Sequence, residues 1–324
     1  MEPVYGSRDT LASYLEVWLS THVAMNLRPT TADTYARLVR LHIIPHLGDV
    51  RLSDLTPSRL QVWLAQLSSA GSPTGRILSP RTVTYAMAVL RAALNDAVRL
   101  GVLERNPFQR VRAPRPRPRI VESFSLEQVR RLESVEHRLS PLFNFLWQTG
   151  LRIGEALALR WDDVDLDRSS LRIRRSAAEV SGKMIVGPPK TIAGMREIAL
   201  TPQTSALLRT QLASLISDGL ANSSLVFPSR TGTMLSRRNV TRAWAGTRKK
   251  AALPPLGLHA LRHTNASLQL QAGVGIREIA AHLGHESPAL TARVYAHVLE
   301  DTKRQAARRL GDLLAGLPPV PEPR

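Results

Sequence analysis

The chain of 324 residues contains no cysteine. Disulfides, zinc held by cysteine and thiol catalysis are therefore excluded. Lysine is scarce as well. Only five occur, Lys183, Lys190, Lys249, Lys250 and Lys303, and arginine supplies the rest of the 44 basic residues. A lysine in a chemically sensible place carries more weight for that reason. No run approaches the roughly 18 apolar residues of a membrane-spanning helix. The N-terminal MEPVYGSRDTLASYLEVWLSTH has no basic region leading into an apolar run, so no signal peptide is read there. The phosphate-cradling pattern G-x-x-x-x-G-K-[ST] is missing, and the metal-binding H-E-x-x-H is broken because Ala260 stands where its glutamate belongs. A cytoplasmic protein with no membrane partner is the expectation.

Acid is short too. Against 26 Asp and Glu the basic excess gives a net charge of +18 and a pI near 11.4. Such an excess favours a polyanion, because neutralising phosphates releases counterions. A ribosomal or membrane-surface protein can share that charge, so charge alone argues only for nucleic acid. Hydrophobic residues make up 43% of the chain, enough for two cores, and the length suits two domains.

The apolar periodicity supports that division. Leu11, Tyr14, Leu15, Trp18 and Leu19 form one helical stripe. Thr30 or Thr31 can cap a second helix to about Ile44, ended by Pro45 and Gly48. Thr56-Pro57 opens a third and Ser79-Pro80 a fourth, with Gly101 stopping the last. Residues 8–112 are thus read as an all-α domain, with a Ser/Gly/Pro loop at 68–80. Residues 113–120 contain APRPRPR and are read as a stiff linker. The second domain, 121–316, starts at the capping box Ser125-Leu-Glu-Gln128. It turns from helices to short β-rich runs at LRIRRSAAEV, KMIVG and REIAL, which predict a three-strand antiparallel sheet, and then returns to helices. Residues 317–324 read as a disordered proline-rich tail. The fold class is mainly α, with one mixed α+β domain.

Four segments stand out: Thr149-Gly-Leu-Arg-Ile-Gly-Glu-Ala156, Pro189-Lys-Thr191 between two candidate strands, His259-Ala-Leu-Arg-His263, and Leu283-Gly-His-Glu286 followed by Tyr295. In this order they resemble the tyrosine recombinases, the family of phage integrases. The resemblance implies a role for each position. Arg152 matches the first arginine, Lys190 the hairpin lysine, His259 and Arg262 the H-x-x-R pair, His285 the L-G-H histidine and Tyr295 the nucleophile. Glu155 matches a supporting acidic position. The helical domain resembles the family's core-site-binding domain. The family's partners are implied as well: double-stranded DNA sites clamped between the two domains, a homotetramer exchanging strands through a Holliday junction, and an accessory directionality factor. A first domain starting near residue 8 leaves no room for a further arm-site-binding domain, so simple recombination sites are expected.

The residue types suit that chemistry. Attack on a phosphodiester puts charge on the non-bridging oxygens, which two guanidiniums can clamp with paired N–H donors. A tyrosine with an ordinary pKa near 10 needs such help to act as a nucleophile. A lysine beside cations releases its proton readily, which suits protonation of the leaving 5′-oxygen. Religation from a phosphotyrosine uses the energy of the stored bond, so neither ATP nor a metal cofactor is expected. His259 and Arg262 share a helix face. Ser287-Pro288 reads as the start of a separate helix that carries Tyr295.

Other readings stand beside these. His259 and His263, spaced i, i+4, could form a metal pair with His282, His285 or His297, though no metal is expected. Two other activities fit the same fold: a DNA-binding regulator without catalysis, and a topoisomerase without site preference. Arg81, Arg91 and Arg99 in the fourth helix, and Arg115, Arg117 and Arg119 in the linker, are candidate DNA contacts. Leu299, Leu310, Leu313 and Leu314 offer an apolar face for a neighbouring protomer.

Overall fold

Thr10 opens the first helix by accepting from the Ser13 backbone N–H at 3.3 Å. In the computed structural model, which describes residues 9–69, 77–113, 122–295 and singly 311 and 315, the chain divides into two compact units, residues 1–119 and 120–324. The linker beyond residue 113, the proline-rich tail and the segment 296–310 lie outside the described residues.

The elements of the first unit's described residues are all helices, apart from one antiparallel bridge between Thr10 and Arg51. Helix α1 (Leu11–Trp18) passes through a π turn at Leu19–Val23 into α2 (Ala24–Asn26). Helix α3 (Pro29–Leu38) does the same at Val39–Ile43 before α4 (Ile44–Leu47). The second helix therefore starts at Pro29, without a side-chain cap from Thr30 or Thr31, and does not stop at Pro45. Proline has no N–H to give Leu41, so the ladder loosens into a wide turn just before it. Helices α5 (Pro57–Ser69) and α6 (Pro80–Arg99) follow, the latter capped by Ser79. Buried aromatics satisfy their polar ends across the core. Tyr14 donates to the Ala93 carbonyl at 2.7 Å, Trp18 to Asp96 at 2.8 Å and Trp63 to the His42 carbonyl at 3.0 Å.

The second unit opens as its capping box predicts, with Ser125 and Gln128 bonded reciprocally at the start of α7 (Leu126–Glu133). Helices α8 (Ser140–Thr149) and α9 (Ile153–Leu157) lead to the strands β1 (Val164–Asp165), β2 (Ser170–Ile173), β3 (Ser176–Val180), β4 (Lys183–Gly187) and β5 (Arg196–Ala199). Among the described residues these make a three-stranded antiparallel sheet in the order β1-β2-β5 and a separate hairpin, β3-β4. The small antiparallel sheet is present, but its strands are not the three expected. LRIRRSAAEV breaks in two, because Arg175 turns inward to pair with the buried Asp163 at 2.8 Å. β3 then pairs with β4 around a Ser181-Gly182 turn in which both φ angles are positive.

Helices α10 (Pro202–Ser217), α11 (Arg237–Lys250), α12 (His259–Gln271), α13 (Ile276–Leu283) and α14 (Pro288–Val294) complete the described part. The main core gathers Phe143, Phe145, Leu171, Ile198, Trp244 and Leu261. A smaller cluster holds Ala266, Leu270, Ile279, Leu283 and Tyr295. Helix α12 belongs to both clusters, through Leu261 in one and Leu270 in the other, so its polar N-terminal turn is fixed from two sides.

Candidate active site

Helix α8 ends at Gly150, which has φ +66. A Cβ there would lie 2.6 Å from the Asn265 side-chain oxygen, so only glycine allows both the left-handed turn and this approach. Two residues on, Arg152 stands just ahead of α9. Glu155, in the first turn of α9, reaches back to accept from the Arg152 backbone N–H at 3.0 Å and from its guanidinium at 2.9 Å. The carboxylate is 2% exposed and meets a second guanidinium, that of Arg196 on β5, at 3.1 Å. Burial works against ionisation of Glu155. The charges of Arg196 and Arg152 and the bonds they donate prevail, and its pKa lies below the ordinary carboxylate value.

Arg196 was not singled out in the sequence. It ties three segments together, donating to Glu155, to the His282 carbonyl at 2.6 Å and to the Gly194 carbonyl at 3.0 Å. Gly194 belongs to the connection that also carries Lys190. Lys190 follows β4 and is exposed in the segment joining β4 to β5, outside the β3-β4 hairpin. It is thus between two strands as expected, although those two strands do not pair with each other.

Arg262 is 2% exposed. Its guanidinium donates to the carbonyls of Gly150, at 2.8 Å, and Leu283. Arg152 reaches toward the same turn, at 3.3 Å from the Gly284 carbonyl. Burial and then the like charge of Arg152 push the pKa of Arg262 down to about 9, still above neutrality, so it keeps its proton. Two guanidiniums, those of Arg152 and Arg196, thus pair with one carboxylate, and Arg262 feels its charge without bonding to it. The surplus is positive and suits an anion.

The histidines register that surplus. His259, His263 and His285 are each lowered to about 4, first by desolvation and then by charges that include Arg262. His259 keeps an exposed edge and is also pushed down by Arg152 and by Arg237, at the start of α11. All three rings are neutral at pH 7. His285 Nδ1 lies 2.8 Å from the hydroxyl of the buried Thr291. His282 Nε2 lies 2.9 Å from the Thr149 carbonyl, which can only accept, so that nitrogen carries a proton.

Ser287 caps α14 and Pro288 takes its first turn, as the sequence predicts, and Tyr295 ends the helix at its C-cap. The Tyr295 side chain is 1% exposed. Its hydroxyl lies 2.8 Å from His263 Nδ1. The rings of His259, His263 and Tyr295 form a row of edge-to-face contacts, with centroids 4.6 and 5.8 Å apart. Burial pushes the Tyr295 pKa up to about 12, while Arg262 pulls the other way.

Arg152, Glu155, His259, Arg262, His285 and Tyr295 are thus linked around the Gly150 and Gly284 turns, and the Lys190 segment is fastened to them through Arg196. Among the described residues, no group of three or more His, Asp or Glu is arranged to hold a metal ion. The α6 arginines behave differently. Arg81 is exposed, Arg91 lies over the Phe108 ring, and Arg99 pairs with Asp96. Arg115, Arg117 and Arg119 lie outside the described residues. The exposed Arg237, Arg238, Arg242, Lys249 and Lys250 of α11 were not foreseen as a basic face.

A helical unit followed by a mixed α+β unit, with this arginine, histidine and tyrosine cluster, defines the class of the tyrosine recombinases. Residues 124–302 match the phage integrase family, and residues 10–68 match the phage integrase N-terminal SAM-like domain. The integrase of Mycobacterium phage FRAT1 is 30% identical over 317 residues, covering 97% of this chain and 91% of that protein. The fold is shared with the Tn1549 transposon integrase in complex with transposon right end DNA, at a TM-score of 0.76 and 19% identity over 93% of this chain and 99% of that one. It is also shared with a lambda integrase tetramer bound to a Holliday junction, at a TM-score of 0.65 and 20% identity over 88% of this chain and 77% of that one. The chain belongs to the phage integrase family of tyrosine recombinases.

Proposed function

We propose that this chain cuts and rejoins double-stranded DNA at specific sites through a covalent 3′-phosphotyrosyl bond at Tyr295, without ATP or a metal, in the service of a mobile element. The observation that carries this reading is the meeting of Arg152 and Arg262 at the Leu283-Gly284 turn, beside His263 and His285, which contact Tyr295 and Thr291 of the helix that follows. Arg152 and Arg262 clamp the non-bridging oxygens as charge builds on them. His259 and His285 donate hydrogen bonds to the same phosphate. Lys190 protonates the departing 5′-oxygen. Glu155 holds Arg152 in place. Four protomers on two sites exchange strands in pairs, and an accessory protein sets the direction.

The test uses nicked duplexes spanning the junctions between the encoding element and its host DNA. Cleavage beside a nick releases a short strand and traps any covalent adduct. Wild type should form a protein–DNA adduct that resists denaturant, and Tyr295→Phe should form none. An adduct from Tyr295→Phe would sink the reading, and so would a wild type inert on every junction. Relaxation of supercoiled plasmids of random sequence would instead favour a topoisomerase.

A further inference from the structure

The Tyr295 hydroxyl has one hydrogen-bonding neighbour that no role above employs. His263 follows Arg262 on α12, and its Nδ1 lies 2.8 Å from the Tyr295 oxygen. Nucleophilic attack requires the phenol to lose its proton. We propose that His263 is the proton acceptor for Tyr295, an inference that rests on the nucleophile assigned above. The ring takes the tautomer with its proton on Nε2, so that Nδ1 accepts from the hydroxyl. As the Tyr295 oxygen bonds to phosphorus, the bond from phosphorus to the 5′-oxygen breaks. The phenol proton moves to His263 Nδ1, and Lys190 gives a proton to the 5′-oxygen. Rejoining runs the same transfers backward, so both groups are restored at the end of a cycle.

The surroundings of His263 favour this role. The groups that face the ring are His259 and Arg262 from its own helix, His285 from the turn after α13, and Tyr295 at the end of α14. Desolvation and then those neighbours keep the ring neutral at pH 7, so its lone pair is available. A phosphodiester bound between Arg152 and Arg262 cancels part of the positive charge that depresses the ring. Its basicity therefore rises when substrate arrives. His259, whose ring packs edge-on against His263, fixes the orientation from the other side.

The experiment compares adduct formation on the nicked junction duplexes by wild type, His263→Ala and His263→Asn. Asparagine can place an oxygen near the Nδ1 position and accept the bond, but it cannot take the proton at neutral pH. Each protein is also made with a difluorotyrosine at position 295, whose more acidic phenol needs less help from a base. General-base catalysis contributes about 100- to 10,000-fold, so both variants should form the adduct at least about 100-fold more slowly than wild type. The difluorotyrosine should shrink that deficit about tenfold or more. Restoration by His263→Asn to within threefold of wild type overturns the proposal and leaves a positioning role. So does a deficit that the difluorotyrosine leaves unchanged. If His263→Ala does not fold, His263→Asn alone carries both comparisons. An adduct from Tyr295→Phe would defeat the nucleophile reading instead, so the two failures are told apart.

Discussion

Removing Arg196 tests whether the buried carboxylate of Glu155 organises the cluster. Arg196 and Glu155 meet at 3.1 Å with side chains 7% and 2% exposed. At an effective dielectric of about 20, that separation corresponds to roughly 5 kcal/mol of attraction, before the cost of taking both charges out of water. Losing one partner of a buried pair costs about 3–5 kcal/mol, because the other charge is stranded. Glu155 would keep Arg152, whose side chain is 41% exposed and so a weaker partner. Arg196→Met should therefore sit at the low end, near 3 kcal/mol. For a unit of this size that lowers the melting temperature by roughly 6–12 °C. Glu155→Gln should cost a similar amount by stranding Arg196. The double variant removes both charges and should lose at least about 2 kcal/mol less than the sum of the singles. Calorimetry measures the transition, and hydrogen exchange in residues 150–157 and 192–199 assigns it to the second unit. A coupling below about 0.5 kcal/mol would refute the reasoning.

Thr291→Val keeps the shape of a fully buried side chain but removes the hydroxyl 2.8 Å from His285 Nδ1. Adduct formation should slow about tenfold with DNA affinity unchanged, since one hydrogen bond is worth roughly 0.5–1.5 kcal/mol; equal rates would remove Thr291 from the account. The three histidines held near 4 make a pH prediction. The unfolded chain takes up protons below about 6.5 that the folded rings refuse, so stability falls as pH drops from 6.5 toward 4. Bound phosphate relieves that depression, so DNA binding at pH 5.5 should draw in protons, seen as a buffer-dependent heat in titration calorimetry. A heat independent of buffer would contradict it. Gly150→Ala meets Asn265 and Leu283 at 2.6 and 2.8 Å, whereas Gly101→Ala meets nothing within 4 Å. Both carry the left-handed penalty of about 1–2 kcal/mol, and Gly150→Ala should lose a further 1–3 to overpacking. Equal losses in thermal unfolding would mean that the Gly150 turn relaxes.

The legible part of the site was the part with short-range spacing. His259 and Arg262 share one helical turn, and Ser287-Pro288 carries its own start signal, so both could be read from the order of residues. Arg196 could not, because one arginine among so many shows nothing of its burial until β5 is paired with β2. His263 was visible as a neighbour of His259, but its approach to Tyr295 depends on how α12 packs against the end of α14. The sheet was foreseen in kind and misassigned in detail, since the break at Arg174-Arg175 answers to Asp163, a partner from before β2. The π turns were hidden because a loosened ladder leaves the apolar stripe almost intact.

The placement of Tyr295 at the very end of α14 makes the stretch from Ser287 to Tyr295 a ruler. A helical residue advances the chain by about 1.5 Å and turns it by about 100°. Insertion or loss of one residue between Thr291 and Tyr295 would swing the phenol away from His263 while leaving the contact of Thr291 with His285 in place, and a change before Thr291 would displace both. Substitutions along the outer surface of this helix can therefore be tolerated, whereas a change of its length cannot. Drift in this segment should be confined to the identity of its residues, never their number.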